Sequence, residues 1–294
     1  MEGGTRQIER IMEDIVIDGK ALYTPKGAAL EYGRVGCNFY TGCYHGCEYC
    51  YLKLGIIAKQ LGGTEIKLKK GFKDKEDALN IFMKEVNRHI DYLRKVGIFF
   101  SFTTDPLIPE TRELTYRAIL ICAYRNIPVK VLTKNADFLG DNWMVRHLSD
   151  PFIHKCVSIG FTLTGRDDME PNASTNEARI KAMRKLHMVG FKTWARIEPV
   201  IDWSSTDKII TDSLNYCDHY KIGLRSGVGK GYYDSEISTL FIISLVYDII
   251  HMDRTVYLKE SVRKILQQTM TQEEYNLLML NTVDMDGNPI NGML

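Results

Sequence analysis

The sequence predicts an α/β fold with a parallel sheet that is either open or closed into a barrel. Short β-rich runs alternate about six times with segments of helical period, and this alternation is typical of a parallel sheet. The chain of 294 residues is 45% hydrophobic and 26% charged, which is typical of globular domains large enough to bury a sizeable core. In such folds the functional side chains lie at the carboxyl ends of the strands.

The strand–helix alternation occupies the middle of the chain. The predicted strands are Tyr32–Asn38, Gly97–Thr103, Val129–Lys134, Cys156–Thr162, Lys192–Glu198 and Tyr220–Leu224. Helical periodicity runs between them, over about 79–93, 112–124, 140–149, 176–189 and 205–215. Asn176, and either Ser204 or Ser205, are the residue types expected at helix N-caps.

The pattern changes after residue 225. Asp234 is predicted to cap a helix that runs to about Met252, and we expect that helix to be buried because it is apolar nearly all round. Thr271 and Glu274 have the spacing of a capping box for a last helix. We therefore divide the chain into an N-terminal extension (1–30), the strand–helix unit (31–225) and a C-terminal helical cap of the same domain (226–294).

Charge and hydropathy exclude several classes of protein. The formal net charge of +1 gives no general cationic field for nucleic acid. The longest apolar stretch, Leu240–Tyr247, is far shorter than the ~20 residues of a membrane span, so we expect no membrane partner. The first 20 residues lack the apolar core of a signal peptide. Together with the crowding of cysteines described next, this predicts a cytoplasmic, reducing location.

Three of the seven cysteines are crowded into one segment. Cys43, Cys47 and Cys50 have a C-x3-C-x2-C spacing directly after the first predicted strand. Structural zinc and ordinary iron–sulfur clusters take four protein ligands, so three cysteines leave one iron of a 4Fe–4S cluster open to a small molecule. The alternative is that His45 supplies a fourth ligand to zinc, in a nucleic-acid-binding module without catalysis.

The cysteine segment resembles the radical S-adenosylmethionine (SAM) superfamily, whose motif is C-x3-C-x-aromatic-C, with Tyr49 as the aromatic residue. Further motifs are similar to those of the spore photoproduct lyase-like group, also called DNA repair photolyase-like proteins. They lie in order between about residues 35 and 205, at Tyr40–Tyr51, Thr103–Pro106, Glu110, Leu114–Thr115, Leu132–Lys134, Ser158–Phe161 and Arg196–Pro199.

The resemblance implies a partial TIM-type (β/α)6 barrel with a C-terminal helical cap. It also implies a 4Fe–4S cluster on Cys43, Cys47 and Cys50, with SAM on its open iron. The chemistry would be reductive cleavage of SAM and abstraction of hydrogen from a substrate, with electrons from a one-electron reductant such as flavodoxin or ferredoxin. The residues implied in binding the cofactors are Tyr49, Thr104, Asp105, Lys134, Ser158, Thr162, Arg196 and Glu198.

Strand pleating adds an independent expectation about these positions. Ser158, Gly160 and Thr162 share one face of their strand, and that small polar face should point into the barrel. Arg196 and Glu198 likewise share a face and should line the interior near its top. The simpler alternative for Arg196 and Glu198 is a buried ion pair within the barrel.

The substrate and the residue that returns hydrogen to the product are left open. In spore photoproduct lyases a cysteine just before the strand-end Asp donates hydrogen, and Phe102 stands at that position here. Repair of a photoproduct is therefore not expected. Two basic segments with aromatic residues suit a nucleic acid substrate, although the first is also typical of a solvated edge strand; a peptide or a small molecule is the other option. These segments are Lys67–Lys75 with Phe72, and Arg225, Lys230, Tyr232 and Tyr233.

Overall fold

The computed structural model describes residues 15–53, 58, 61, 63–147, 150–229 and 231–290 of the chain. Ten strands occur in this part of the chain. They are β1 (Leu22–Tyr23), β2 (Gly36–Cys37), β3 (Tyr40–Thr41), β4 (Lys67–Leu68), β5 (Ile98–Phe100), β6 (Val129–Thr133), β7 (Val157–Thr162), β8 (Lys192–Val200), β9 (His219–Leu224) and β10 (Thr255–Leu258).

Eight of these strands form one sheet in the order β1-β2-β5-β6-β7-β8-β9-β10. Every neighbouring pair is parallel except β1 and β2, which are antiparallel. Strands β3 and β4 form a separate antiparallel pair. The α/β class and the mostly parallel sheet are therefore confirmed.

Helices connect consecutive strands of the sheet. They are α1 (Lys75–Arg88), α2 (Ile90–Val96), α3 (Arg112–Ala123), α4 (Asn142–His147), α5 (Pro151–Cys156), α6 (Asn176–Met188), α7 (Trp203–Ser213), α8 (Ser235–His251), α9 (Glu260–Thr269) and α10 (Gln272–Leu280). Short 3-10 helices cover Gly27–Tyr32, Tyr51–Lys53, Asp137–Gly140 and Asp167–Met169. No helix among the described residues is long and apolar enough to cross a membrane.

The predicted helix ends are correct in the C-terminal part and shifted elsewhere. Asp234 caps α8 through the N–H of Ile237, and the capping box of Thr271 and Glu274 is present. The cap of α6 is Thr175 rather than Asn176, because the Asn176 side chain accepts hydrogen bonds from the loop after β7. The cap of α7 is Asp202 rather than a serine.

The predicted C-terminal cap is not purely helical. Strand β10 lies within it and pairs in parallel with β9, so that seven parallel strands replace the predicted six. Helix α8 is also less buried than its composition suggested, since Ile237 is 53% and Leu240 69% exposed. The segment 226–294 thus extends the sheet as well as covering it.

Apolar side chains pack on both faces of the sheet. The large core lies between the sheet and the helices, and a smaller cluster of Tyr32, Phe99 and Trp194 lies on the opposite, inner face. Phe99 on β5 and Trp194 on β8 are three strands apart. Their ring centroids are 6.4 Å apart, and the Trp194 ring lies over Gly160 of the intervening strand β7.

Candidate functional site

The three motif cysteines lie on one loop between β3 and the 3-10 helix at Tyr51–Lys53. Cys47 is buried, Cys43 and Cys50 are half-buried, and all three are free thiols. The loop turns at Gly42, where φ is +86° and a Cβ atom would lie 2.0 Å from the carbonyl oxygen of Glu65. Only glycine fits this turn, so the glycine before Cys43 is required by the path of the chain.

The loop is surrounded by the carboxyl ends of β5, β6 and β7. Asp105 follows β5, Lys134 follows β6, and Glu170 lies in the segment after β7. Each of these residues contacts the cysteine loop: Asp105 contacts His45, and Lys134 and Glu170 contact Tyr49. The structure therefore brings together most of the residues that the sequence assigned to the site.

Lys134 is the residue that joins these groups. Its Nζ is 3.2 Å from Cys47 Sγ, 2.7 Å from the hydroxyl of Tyr49 and 3.2 Å from Glu170 Oε1. It also lies over the Tyr49 ring, 4.6 Å from the centroid. Lys134 thus contacts the second motif cysteine, the motif tyrosine and a buried carboxylate at once.

Glu170 is fully buried between two cations. Its second carboxylate oxygen accepts from Arg179, whose side chain is also fully buried. Burial raises the pKa of Glu170, but the charges of Lys134 and Arg179 lower it more, so that the pKa lies below its usual value. Sequence analysis missed Glu170 and Arg179, because neither belongs to the motifs that carry the resemblance.

Asp105 uses both of its oxygens for contacts within the protein. Oδ1 accepts from Thr133 Oγ1 (2.7 Å) and the Leu107 N–H (2.9 Å). Oδ2 accepts from His45 Nε2 (2.8 Å) and the Lys134 N–H (2.7 Å). Burial raises the pKa of Asp105, but the contacts with His45 and with the N–H groups of Lys134 and Leu107 lower it by more. The pKa of Asp105 therefore lies below its usual value. Asp105 is thus an ionised carboxylate with four donors around it.

Burial and charge hold the Cys43 thiol in the protonated form. Burial, followed by the negative charge of Asp105, raises the pKa of Cys43 to about 12. A metal must displace this proton in order to bind. Among the described residues, no group of three or more His, Cys, Asp or Glu side chains is arranged around a position for one metal ion.

A second polar cluster lies on the inner face of the sheet. Arg196 Nε is 2.7 Å from the hydroxyl of Tyr32 and 3.2 Å from Glu198 Oε2, and that hydroxyl donates to Glu198. Lys259 Nζ lies 2.9 Å from both oxygens of Glu198. Burial raises the pKa of Glu198, but Arg196 and Lys259 lower it to about 2. Lys259 was missed because it follows β10, the strand that the sequence did not reveal.

The three small hydroxyl residues of the prediction lie in different places. The Thr104 hydroxyl is buried beside Asp105 and has no hydrogen-bond partner among the described residues. Thr162 is buried at the carboxyl end of β7. Ser158 lies four residues earlier, about 13 Å along the strand, and donates to the carbonyl of Val129. The structure therefore separates Ser158 from the cysteine loop.

Phe102 lies beside the cysteine loop. Its carbonyl accepts a hydrogen bond from Tyr51, the residue after the third cysteine. Its ring packs 4.5 Å from Phe99 and 6.2 Å from Tyr32. Aromatic rings therefore occupy the position at which the resemblance places a thiol.

The basic segments are only partly suited to a nucleic acid. Phe72 is buried against Phe39 and is not available to stack on a base. Lys67 lies on β4, an edge strand paired only with β3, as the simpler alternative predicted. Tyr232 is 45% exposed, and Lys230 lies outside the described residues.

Comparisons with known proteins show similarity to an archaeal protein and no family. No protein-family model matches the chain. A protein of Methanocaldococcus jannaschii, described as uncharacterized, is 27% identical over 192 residues, which is 62% of this chain and 67% of the relative. The chain is therefore similar to an archaeal protein whose description carries no activity.

Proposed function

We propose that this chain is a radical SAM enzyme of the spore photoproduct lyase-like group, with a 4Fe–4S cluster held by Cys43, Cys47 and Cys50. The observation that carries the proposal is the placement of Lys134. Its ammonium group lies at the carboxyl end of a central strand and contacts both Cys47 and Tyr49 of the motif. A cation there suits a ligand that binds the open iron and presents a carboxylate.

The donor set fits a cluster better than a zinc ion. The loop offers three thiols, and its one histidine is already occupied: His45 Nε2 faces Asp105 Oδ2, and Nδ1 faces the carbonyl of Asn172. Because each ring nitrogen already faces an acceptor of the protein, a zinc ion could bind this histidine only by displacing one of these contacts. Each cysteine of a cubane binds a different iron, so the thiols need not surround one point. The non-catalytic zinc module, which requires His45 as a ligand, is the weaker alternative.

The remaining residues would bind and orient SAM. Lys134 is expected to pair with the methionyl carboxylate. The buried hydroxyl of Thr104, next to Asp105 in the chain, has no partner among the described residues, and such a hydroxyl is costly unless a ligand completes it. When bound, the cluster and SAM supply one-electron cleavage of SAM and hydrogen abstraction. The protein's part is to place the substrate and to exclude water.

We infer that the sheet curves into a partial TIM-type barrel. The support is the contact between Phe99 and Trp194 across three strands, together with Tyr32, which bridges the sheet to Lys259 after β10. In this arrangement the inward residues Gly160, Trp194 and Arg196 line the lumen, and the cysteine loop covers its carboxyl end.

Repair of a photoproduct is not part of this proposal, because Phe102 has no abstractable thiol hydrogen. A nucleic acid or a peptide remains the candidate substrate, and flavodoxin or ferredoxin the candidate reductant. Seven free cysteines agree with the expected reducing location.

The test is anaerobic reconstitution with iron and sulfide, followed by reduction with dithionite and addition of SAM. We expect iron near four per chain and formation of 5′-deoxyadenosine, measured by mass spectrometry. Cys47→Ala should lose both, whereas Cys156→Ala, a cysteine outside the loop, should keep both. Stoichiometric zinc with no 5′-deoxyadenosine in the wild type would contradict the proposal and favour the zinc module.

A further inference from the structure

His45, the residue midway between the first two cysteines, is unusually well held for a loop side chain. It is 4% exposed, and its ring bridges two separate parts of the fold. Nε2 is 2.8 Å from Asp105 after β5, and Nδ1 is 3.2 Å from the carbonyl of Asn172 after β7. The ring therefore fixes the loop to two different strand ends.

The backbone of the loop is held by the same segment. The N–H of Asn172 donates to the carbonyl of His45 (3.1 Å), and its side-chain amide donates to the carbonyl of Tyr44 (2.9 Å). Two residues beyond Gly46, the N–H of Glu48 donates to the carbonyl of Met169 (3.0 Å). The loop is thus held from Tyr44 to Glu48 by protein contacts alone.

Asp105 has no acceptor capacity left for a ligand of the pocket. Each of its oxygens accepts two hydrogen bonds, and the four donors come from the cysteine loop, from the end of β6 and from its own loop. A carboxylate has about four acceptor positions, so this one is saturated. Through Oδ2, Asp105 contacts both His45 and the backbone N–H of Lys134. Lys134 is the residue proposed to bind the SAM carboxylate.

The geometry points to a positioning role for His45 and Asp105: together they hold Cys43 and Cys47 in place before any cluster is bound. This inference rests on the proposed function for its purpose, because the cysteines are positioned for a cluster. It assigns to Asp105 an indirect role in place of the direct contact with SAM that the resemblance implied. A loop that is already ordered loses less conformational entropy when the cluster binds.

The experiment measures hydrogen exchange in the full-length, iron-free protein over peptides that cover residues 41–50. Removing a hydrogen bond to a charged group weakens the local structure by roughly tenfold to hundredfold in the opening equilibrium. His45→Ala should therefore speed exchange at the Glu48 amide by that factor. His45→Gln, whose amide can still donate to Asp105, should speed it less. His251→Gln, at an exposed histidine on α8, is the matched control.

A second readout separates this inference from the proposed function. After reconstitution, His45→Ala and Asp105→Asn should bind less iron than wild type and lose it faster to a chelator, while His45→Gln recovers part of the loss. If wild type takes up a cluster and the variants match it in exchange and iron retention, the positioning role is refuted alone. If wild type takes up no cluster, the proposed function fails and the positioning role falls with it.

Discussion

Replacing Lys134 by methionine removes the one cation that Cys47, Tyr49 and Glu170 share. The lysine side chain is 12% exposed and that of Glu170 is fully buried, so water does not replace the lost contacts. A hydrogen bond to a charged group contributes about 1.5–3 kcal/mol. Glu170 keeps Arg179 as a partner, so the cost should stay below the ~3–5 kcal/mol of an orphaned buried charge. We expect the free energy of unfolding to fall by about 1.5–3 kcal/mol.

The same substitution should weaken binding of SAM by roughly tenfold to hundredfold, because the carboxylate loses its cation. Equilibrium dialysis against the reconstituted protein measures the affinity, and urea unfolding of the iron-free protein measures stability. Lys181→Met is the control, since that lysine is 69% exposed and paired only with Glu177; it should cost less than ~1 kcal/mol. A Lys134→Met protein that is destabilised but binds SAM normally would refute the assigned role.

The pH dependence of this effect has a defined sign. Because Lys134 helps to lower the pKa of Glu170, its contribution is present above the unfolded pKa of ~4.3 and is lost as the pH falls through the folded value. The difference in stability between wild type and Lys134→Met should therefore be largest near neutral pH and should narrow in acid. If the difference in stability between the two proteins grew larger in acid, the assignment of an ionised Glu170 beside Lys134 would be contradicted.

Three further predictions follow from other contacts. Lys259→Met should raise the pKa of Glu198 above its value of about 2, so that acid unfolding, followed by circular dichroism, begins at higher pH; an unchanged profile would show that the pair contributes nothing. Gly160→Ala should cost about 1–3 kcal/mol in urea unfolding through overpacking, since its Cβ would lie 2.1 Å from an indole ring, while Gly140→Ala, with open space around it, should not. Asp234→Ala should cost about 0.5–2 kcal/mol through loss of the α8 cap, and a neutral result would refute the cap.

The sequence predicted those parts of the fold that depend on local patterns. All six predicted strands are present, and the two caps near the C-terminus are formed as expected, because each is set by neighbouring residues. Strand β10 was missed, since a run of only four residues, Thr255–Leu258, cannot be told from a helical segment by periodicity. The first predicted strand, Tyr32–Asn38, shrank to β2 because the chain before it forms a 3-10 helix.

The residues of the candidate site could be predicted where they belong to a local motif. They could not be predicted where contacts between distant parts of the chain bring them there. Lys134 lies in contact with Cys47 and Tyr49, two residues that the motif singled out. Glu170 reaches Lys134 across 36 positions of sequence, and no local pattern announces that contact. Ser158 shows the converse, because it shares a strand face with Thr162 yet lies too far down that strand to reach the loop.

The inner cluster pairs its two carboxylates with cations. Arg196 and Lys259 face Glu198, and Lys259 also lies 3.3 Å from Glu31. Tyr32 contacts both Arg196 and Lys259 and belongs to the 3-10 helix that precedes β2. The contact between Arg196 and Glu198 is the buried ion pair that the sequence left as the alternative.

The cluster beside the cysteines shares its carboxylates differently. The Lys134 ammonium shares Glu170 with Arg179, while the second buried carboxylate there, Asp105, faces His45 and the Lys134 N–H. Under the proposed function, thiolates and a ligand carboxylate would be added beside the Lys134 ammonium. Lys134→Met should therefore change both stability and affinity for SAM, whereas Lys259→Met should change stability alone. This difference between two lysines, each following a strand of the same sheet, tests whether the proposed SAM site lies at Lys134 rather than at the inner cluster.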